Sequence, residues 1–268
     1  MLQQIKSYLN FLWNSKNEHG VHSPFVFDLV TKCFYDKKKY PEYTILKNYR
    51  NSLLQNKNTI EVTDFGAGSR VFKSNTRAIN KIAKNAGISV KRAELLFRMV
   101  NYFQPTTILE IGTSLGLATS ALSLGNPKAK ITTLEGCPNT MSIAKKMFQV
   151  SSFKFQSNNI NPITTEFNLY LQNLKLETLN LKPQIFDLIY FDGNHSKSAT
   201  LEYFELLLPT ITNESVWIFD DIHWSKGMNE VWETIKNNPK VTVTIDTFQW
   251  GIVFFRKEQV KEHFVIRV

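Results

Sequence analysis

Thr107-Ile-Leu-Glu-Ile-Gly-Thr-Ser-Leu-Gly116 is the stretch that decides the fold. Thr107–Ile111 is a short apolar run of the kind that forms a buried strand. Gly112 and Gly116 follow it and allow a tight turn with close backbone approach to a ligand. Ala118–Leu124 then has helical apolar spacing, and the N-terminus of a helix favours a negative group. Strand, glycine turn and helix in this order form the first half of a βαβ unit.

The same alternation continues downstream. Ile131–Leu134, Phe186–Phe191 and Val216–Phe219 read as buried strands, with a less defined strand around Ile163–Phe167. Thr140–Phe148, Ala199–Leu208 and Met228–Lys236 have helical spacing. Val241–Ile245 and Ile252–Phe255 lie a few residues apart and should pair antiparallel. Upstream, Ser89 can cap a helix running to Phe103, and Pro105 ends it. Ile5, Leu9, Leu12 and Trp13 form one apolar stripe, and Phe25, Phe27, Val30 and Phe34 suggest another. The expectation is an α/β fold: a Rossmann-like, doubly wound seven-stranded sheet with an antiparallel C-terminal hairpin. It divides into a helical N-terminal extension over residues 1–88 and a sheet domain over residues 89–268.

Ligands of such sheets bind beyond the carboxyl ends of the strands. Glu110, Gly112, Thr113, Ser114 and Gly116 stand at the first of these ends. Glu135 stands at the second, 23 residues beyond Gly112. An acidic residue at about that spacing commonly accepts the ribose hydroxyls of a nucleoside cofactor. Asp192, Asp220 and Asp221 follow two later strands. Three converging carboxylates repel unless protons or a hard divalent cation intervene, so they are candidate metal ligands. The competing reading is strand-end Asp residues acting as helix caps. His195, three residues after Asp192, is a candidate general base, and His223 a weaker one.

Ile-Leu-Glu-Ile-Gly-Thr-x-x-Gly, Thr-Leu-Glu, Phe-Asp-Leu-Ile-Tyr-Phe-Asp-Gly-Asn-His and Phe-Asp-Asp, in this order, resemble class I S-adenosylmethionine-dependent methyltransferases. The likeness is to the metal-dependent O-methyltransferases of the catechol and caffeoyl-coenzyme A type and to sugar and antibiotic O-methyltransferases with an Asp-Gly-x-His turn. It covers about Ser89 to Arg256. The resemblance implies methyl transfer from S-adenosylmethionine to a hydroxyl of a small-molecule acceptor, with Mg²⁺ or another divalent cation assisting. It places the Gly112–Gly116 loop under the methionine end, with Glu110 anchoring the loop or the amino group. Glu135 falls on the ribose and Glu166 near the adenine amino group. Asp192, Asp220 and Asp221 fall on the metal ligands and His195 on the base, with Asp192 part of the catalytic set. The catechol-type enzymes usually carry Asn where this chain has Asp221.

Two rivals exist. Gly112-Thr-Ser-Leu-Gly116 also spells the Gly-x-Ser-x-Gly elbow of α/β-hydrolases, with Ser114 as nucleophile. No His-Gly-Gly-Gly segment accompanies it, and Glu135 would have no role. The other rival is a catalytically inactive S-adenosylmethionine-binding protein, which would need no acidic cluster. Asp64-Phe-Gly-Ala-Gly-Ser69 imitates the glycine loop, but no acidic residue follows before Glu94 to take a ribose. It reads as a loop. His19-Gly-Val-His-Ser-Pro-Phe25 reads equally as a cover over the ligand or as a structural turn.

Composition narrows the classes further. The 268 residues carry a net charge of +9, and 43% are hydrophobic, which argues against disorder. The charge is uneven, because residues 1–100 hold 17 Lys/Arg against 7 Asp/Glu and the remainder is almost neutral. Residues 65–93 hold seven basic residues, Arg70, Lys73, Arg77, Lys81, Lys84, Lys91 and Arg92, and no acids. Such a region either faces water or screens an acidic acceptor, and a nucleic-acid partner is disfavoured by the near-neutral sheet domain. No apolar run is long enough to span a membrane. The first residues lack a signal peptide's apolar core. Two cysteines, Cys33 and Cys137, make no disulfide framework, so a cytoplasmic protein is expected, and a homodimer is compatible with the sequence.

Overall fold

The computed structural model describes residues 2–65, 72–150, 153, 157–180 and 184–268. In chain order the elements are α1 (Leu2–Asn14), α2 (Pro24–Leu29), α3 (Glu42–Gln55), β1 (Thr59–Glu61), β2 (Thr76–Ala78), α4 (Ile79–Asn85) and α5 (Val90–Phe103). Then come β3 (Thr107–Ile111), α6 (Leu117–Gly125), β4 (Lys130–Glu135), α7 (Pro138–Phe148), β5 (Ile160–Thr164) and α8 (Phe167–Asn180). The last are β6 (Leu188–Phe191), α9 (Lys197–Leu207), β7 (Val216–Asp220), α10 (Lys226–Asn237), β8 (Val243–Asp246), β9 (Trp250–Phe254) and β10 (Glu262–Val265).

The fold is the expected α/β, Rossmann-like arrangement, but the large sheet has eight strands rather than seven among the described residues. The added strand is β10, parallel to β8 with Glu262 opposite Val243. It has no apolar run to announce it: of Glu-His-Phe-Val only Phe264 is buried, as suits a short edge strand. β1 and β2 form a separate two-stranded antiparallel sheet within the region expected to be helical.

The chain forms two compact units. Asp36–Phe167 holds β3, β4 and β5, all parallel, in that order. Ser89 caps α5 by accepting a hydrogen bond from the Arg92 N–H, and Gln104 ends the helix in a left-handed conformation before Pro105. α5 and α6 pack closely because Gly125 has no side chain. A Cβ there would stand 2.6 Å from Val100 Cβ and 2.8 Å from the Phe97 carbonyl oxygen. Ser89→Ala should cost about 1 kcal/mol, a fall of about 2–4 °C in thermal melting. An unchanged melting point would contradict the cap.

The second unit comprises residues up to Tyr35 and Asn168–Val268, with strand order β10-β8-β9-β7-β6. β6 and β7 are parallel, and β9 is antiparallel to both β7 and β8, as the hairpin spacing predicts. Every residue of β6, β7, β8 and β9 is buried. Phe191 stacks on Phe219 with ring centres 4.1 Å apart, and Trp217 meets Phe204 at 5.6 Å and Phe255 at 4.9 Å. These rings hold the carboxyl ends of β6 and β7 side by side.

α1 is helical as predicted, yet its stripe faces solvent: Ile5 is 52%, Leu9 61% and Trp13 90% exposed. Phe11 anchors the helix instead, and with Tyr8 it packs on Phe248. In His19–Phe25, Ser23 caps α2 and Phe25 packs edge-on against Phe254, while His19 and His22 are exposed. That segment is a turn and a cap. The imitating glycine loop lies mostly outside the described residues, as does Arg70. No helix among the described residues is long and apolar enough to cross a membrane.

Candidate functional site

Two sets of candidate residues emerge, one in each unit. The first surrounds the turn between β3 and α6. Gly112 and Thr113 donate their N–H groups to the Leu134 carbonyl at the end of β4, at 3.0 and 2.9 Å. Three residues of the turn have positive φ: Gly112 (106°), Ser114 (48°) and Gly116 (77°). This bends the chain sharply from strand to helix. Glu135 then fastens the turn. Its Oε2 accepts from Ser114 N at 2.8 Å and its Oε1 from Cys137 N at 2.9 Å. Burial pushes the Glu135 carboxyl up, while the N–H groups of Cys137, Ser114 and Gly136 pull it back.

Glu110 lies beneath, fully buried. One carboxyl oxygen accepts from Thr119 Oγ1 of α6 and Thr133 Oγ1 of β4, both at 2.5 Å. The other, Oε1, has no hydrogen-bond partner among the described residues. Burial raises the Glu110 pKa to about 8 against the pull of those hydroxyls. Glu110 therefore ties β3, β4 and α6 together as a mostly neutral acid. Tyr49, fully buried on α3, donates from its hydroxyl to the Leu115 carbonyl at 2.8 Å. Sequence reading missed Tyr49, since nothing local marks a residue 66 positions from its partner. β5 begins three residues earlier than expected. Glu166 is exposed two residues beyond it, and the neighbouring Thr165 N–H donates to the Glu135 carbonyl at 3.0 Å.

The second set stands at the ends of β6 and β7. Phe191 is opposite Phe219, so the next residues, Asp192 and Asp220, are neighbours across the parallel pair. Tyr190 and Asp192 share one face of the strand because side chains alternate. The fully buried Tyr190 directs its hydroxyl between the two acids, 3.5 Å from Asp192 Oδ2 and 3.4 Å from Asp220 Oδ2. Tyr190 was also missed, although its place two residues before Asp192 was the available signal. Asp221 turns away from strand geometry with φ 54°, and its N–H donates to the Gln249 carbonyl at 2.8 Å and to Asp220 Oδ1 at 2.9 Å.

The expected metal set of Asp192, Asp220 and Asp221 is therefore not assembled. Among the described residues no three His, Cys, Asp or Glu side chains gather in a way that could hold a metal ion. A tyrosine hydroxyl occupies the space between two of the acids, and a left-handed turn carries the third. The three residues as placed do not fit a divalent cation.

His195 Nε2 is 3.7 Å from Asp192 Oδ1, beyond hydrogen-bond length but within ion-pair distance. Both side chains are partly accessible, at 25% and 15%. His223 has a different setting. Its Nδ1 meets Asn229 Oδ1 at 2.7 Å and its Nε2 meets Asp246 Oδ2 at 2.8 Å. Asn229 Nδ2 donates to Ser7, which sets the amide so that both His223 partners are acceptors. His223 is accordingly a doubly donating, structural imidazolium.

Residues 109–222 match the family model of a methyltransferase domain. No curated protein matches the sequence significantly. Among solved structures the chain resembles the S-adenosylhomocysteine-bound methyltransferase PaMTH1 of Podospora anserina, with TM-score 0.59 and 15% identity over 89% of this chain and 97% of that one. It also resembles TomG of Streptomyces achromogenes, an O-methyltransferase of tomaymycin synthesis solved with S-adenosylmethionine, with TM-score 0.54 and 15% identity over 85% and 95%. An O-methyltransferase of Bacillus cereus bound to S-adenosylhomocysteine has TM-score 0.51 and 18% identity over 84% and 95%. Residues 109–222 thus resemble a methyltransferase domain, and the fold is shared with solved O-methyltransferases.

Proposed function

We propose that the protein transfers the methyl group of S-adenosylmethionine to a hydroxyl of a small molecule. The observation that carries this reading is the turn at Gly112–Gly116, pinned by a half-buried acid at the end of the next strand. The residues present suit the cofactor. The Glu135 carboxylate accepts from the N–H groups of Ser114, Cys137 and Gly136, and its two oxygens have lone-pair capacity for a further donor, such as a ribose hydroxyl. Glu110 Oε1 is a buried polar atom with no hydrogen-bond partner among the described residues. Glu110 would anchor the loop on which Thr113, Ser114 and the flanking glycines meet the methionine end. Glu166 is exposed for an adenine amino group.

When bound, the cofactor supplies a methyl group on a positively charged sulfonium. The chain must then deprotonate and orient the acceptor. His195 would take the hydroxyl proton on a ring nitrogen, with the Asp192 carboxylate standing 3.7 Å from Nε2. The Tyr190 hydroxyl, 3.5 Å from Asp192 Oδ2, steadies Asp192 at the end of β6.

The test is release of S-adenosylhomocysteine with a panel of hydroxyl-bearing acceptors. Against an active acceptor, His195→Gln should lower turnover by about 10²–10⁴-fold, the usual worth of a general base. Cofactor affinity should be unchanged. Turnover that survives His195→Gln would overturn the base assignment. Activity should also persist after chelator treatment. Strict dependence on added Mg²⁺ would restore the metal-assisted reading.

A further inference from the structure

Asp36–Phe167 contains a cleft outside the glycine turn. It encloses about 480 Å³, within the range of small-molecule sites. Its walls carry Lys37, Lys38, Lys39 and Arg98, with Tyr40 and Tyr43. Only two carboxylates, Asp36 and Glu94, face these four cations across the lining.

Asp36 is committed to the loop itself. Its Oδ1 accepts from Lys38 N and its Oδ2 from the Tyr40 hydroxyl, both at 2.8 Å. The aromatic wall is rigid, because Tyr40 and Tyr43 each pack edge-on against Phe97, at 5.0 and 5.6 Å. Arg98 Nη1 donates to the Tyr43 hydroxyl at 3.1 Å, which fixes the guanidinium plane on that wall. Lys38 Nζ stands 5.0 Å from the Tyr40 ring centre. Lys37 and Lys39 make no ion pair with other described residues, and both side chains are exposed.

A fixed guanidinium, three ammonium groups and an aromatic wall are complementary to a compact dianion attached to a planar group. The first turn of α3 also borders the cleft at Thr44, so the positive end of that helix adds to the field. We propose that this cleft binds a small molecule bearing a phosphomonoester on a planar ring. Tyr43 precedes Tyr49 by six residues on α3, about 9 Å along the helix axis. The cleft is therefore a second site, apart from the turn that Tyr49 supports.

The test is calorimetry on the full chain held at saturating S-adenosylhomocysteine, with phenyl phosphate, uridine monophosphate, inorganic phosphate and phenol as probes. One of the two ring phosphates should bind more tightly than phosphate or phenol alone, and the stronger names the source of the ligand. In the double variant Lys37→Ala, Lys39→Ala that affinity should fall about tenfold, as expected for losing two charge-assisted contacts. The melting temperature should stay as it was, since both side chains are exposed. Ring phosphates that bind no better than inorganic phosphate would overturn the proposal, and so would equal binding by the double variant.

Discussion

Gly116→Ala is expected to lower the melting temperature by on the order of 10 °C and to abolish S-adenosylmethionine binding. Gly116 has φ 77°, a left-handed conformation that costs other residues about 1–2 kcal/mol. A Cβ there would stand 2.5 Å from a Phe148 ring carbon and 2.6 Å from the Tyr49 hydroxyl oxygen. Both rings are buried, so relief requires moving packed elements, at about 1–3 kcal/mol. The combined 2–5 kcal/mol corresponds to roughly 4–20 °C for a chain of this size. Such a shift would also break the Glu135 to Ser114 bond that shapes the turn. Thermal melting within about 2 °C of the wild type would contradict the packing described.

Asp246→Ala is the second large effect, expected at about 3 kcal/mol or more. Asp246 is nearly buried and serves two groups. Its Oδ2 accepts a hydrogen bond from His223 Nε2 at 2.8 Å, and its Oδ1 accepts from Phe248 N at 2.7 Å, where φ reaches 72°. Removing it takes away the partner that favours the charged His223 and frees a strained turn. Phe248 also carries Tyr8 and Phe11, so α1 should loosen, read as faster hydrogen exchange over residues 2–14.

Burial alone would push the His223 imidazole down. The hydrogen bond and charge of Asp246, helped by Asn229, outweigh it and hold the pKa above 6.5. A raised histidine pKa means the folded state binds the proton more tightly. The stability from this pair is full below 6.5 and is lost as the pH rises through the raised value. Glu110, raised from 4.5 to about 8, also loses stability as the pH rises over that interval, in wild type and variant alike. The difference between wild type and Asp246→Asn therefore isolates His223. That difference should shrink as the pH is raised above 6.5. A constant difference would refute the imidazolium.

The βαβ progression and the glycine turn were legible because their signals are local: apolar runs, two glycines, and Glu135 one strand later. Ser89 and Pro105 marked α5 for the same reason. β10 was not legible, because an edge strand with one buried residue has no apolar run. The acids after β6 and β7 were found, but their assembly was not. A left-handed turn at Asp221 and the hydroxyl of Tyr190 decide it, and neither shows in residue type. The role of His223 depends on Asp246, 23 residues away. The cleft joins Lys37 to Arg98 across two helices and a small sheet. Non-local pairing of this kind leaves no periodic trace.

The β3–α6 turn and Glu135 are the expected binding site of S-adenosylmethionine. Calorimetric titration of the purified chain with S-adenosylmethionine tests it most directly. One site per chain, with binding abolished in Glu135→Ala while the variant's melting stays cooperative, is the predicted result. No binding by the folded wild-type chain, or equal affinity in Glu135→Ala, would contradict it.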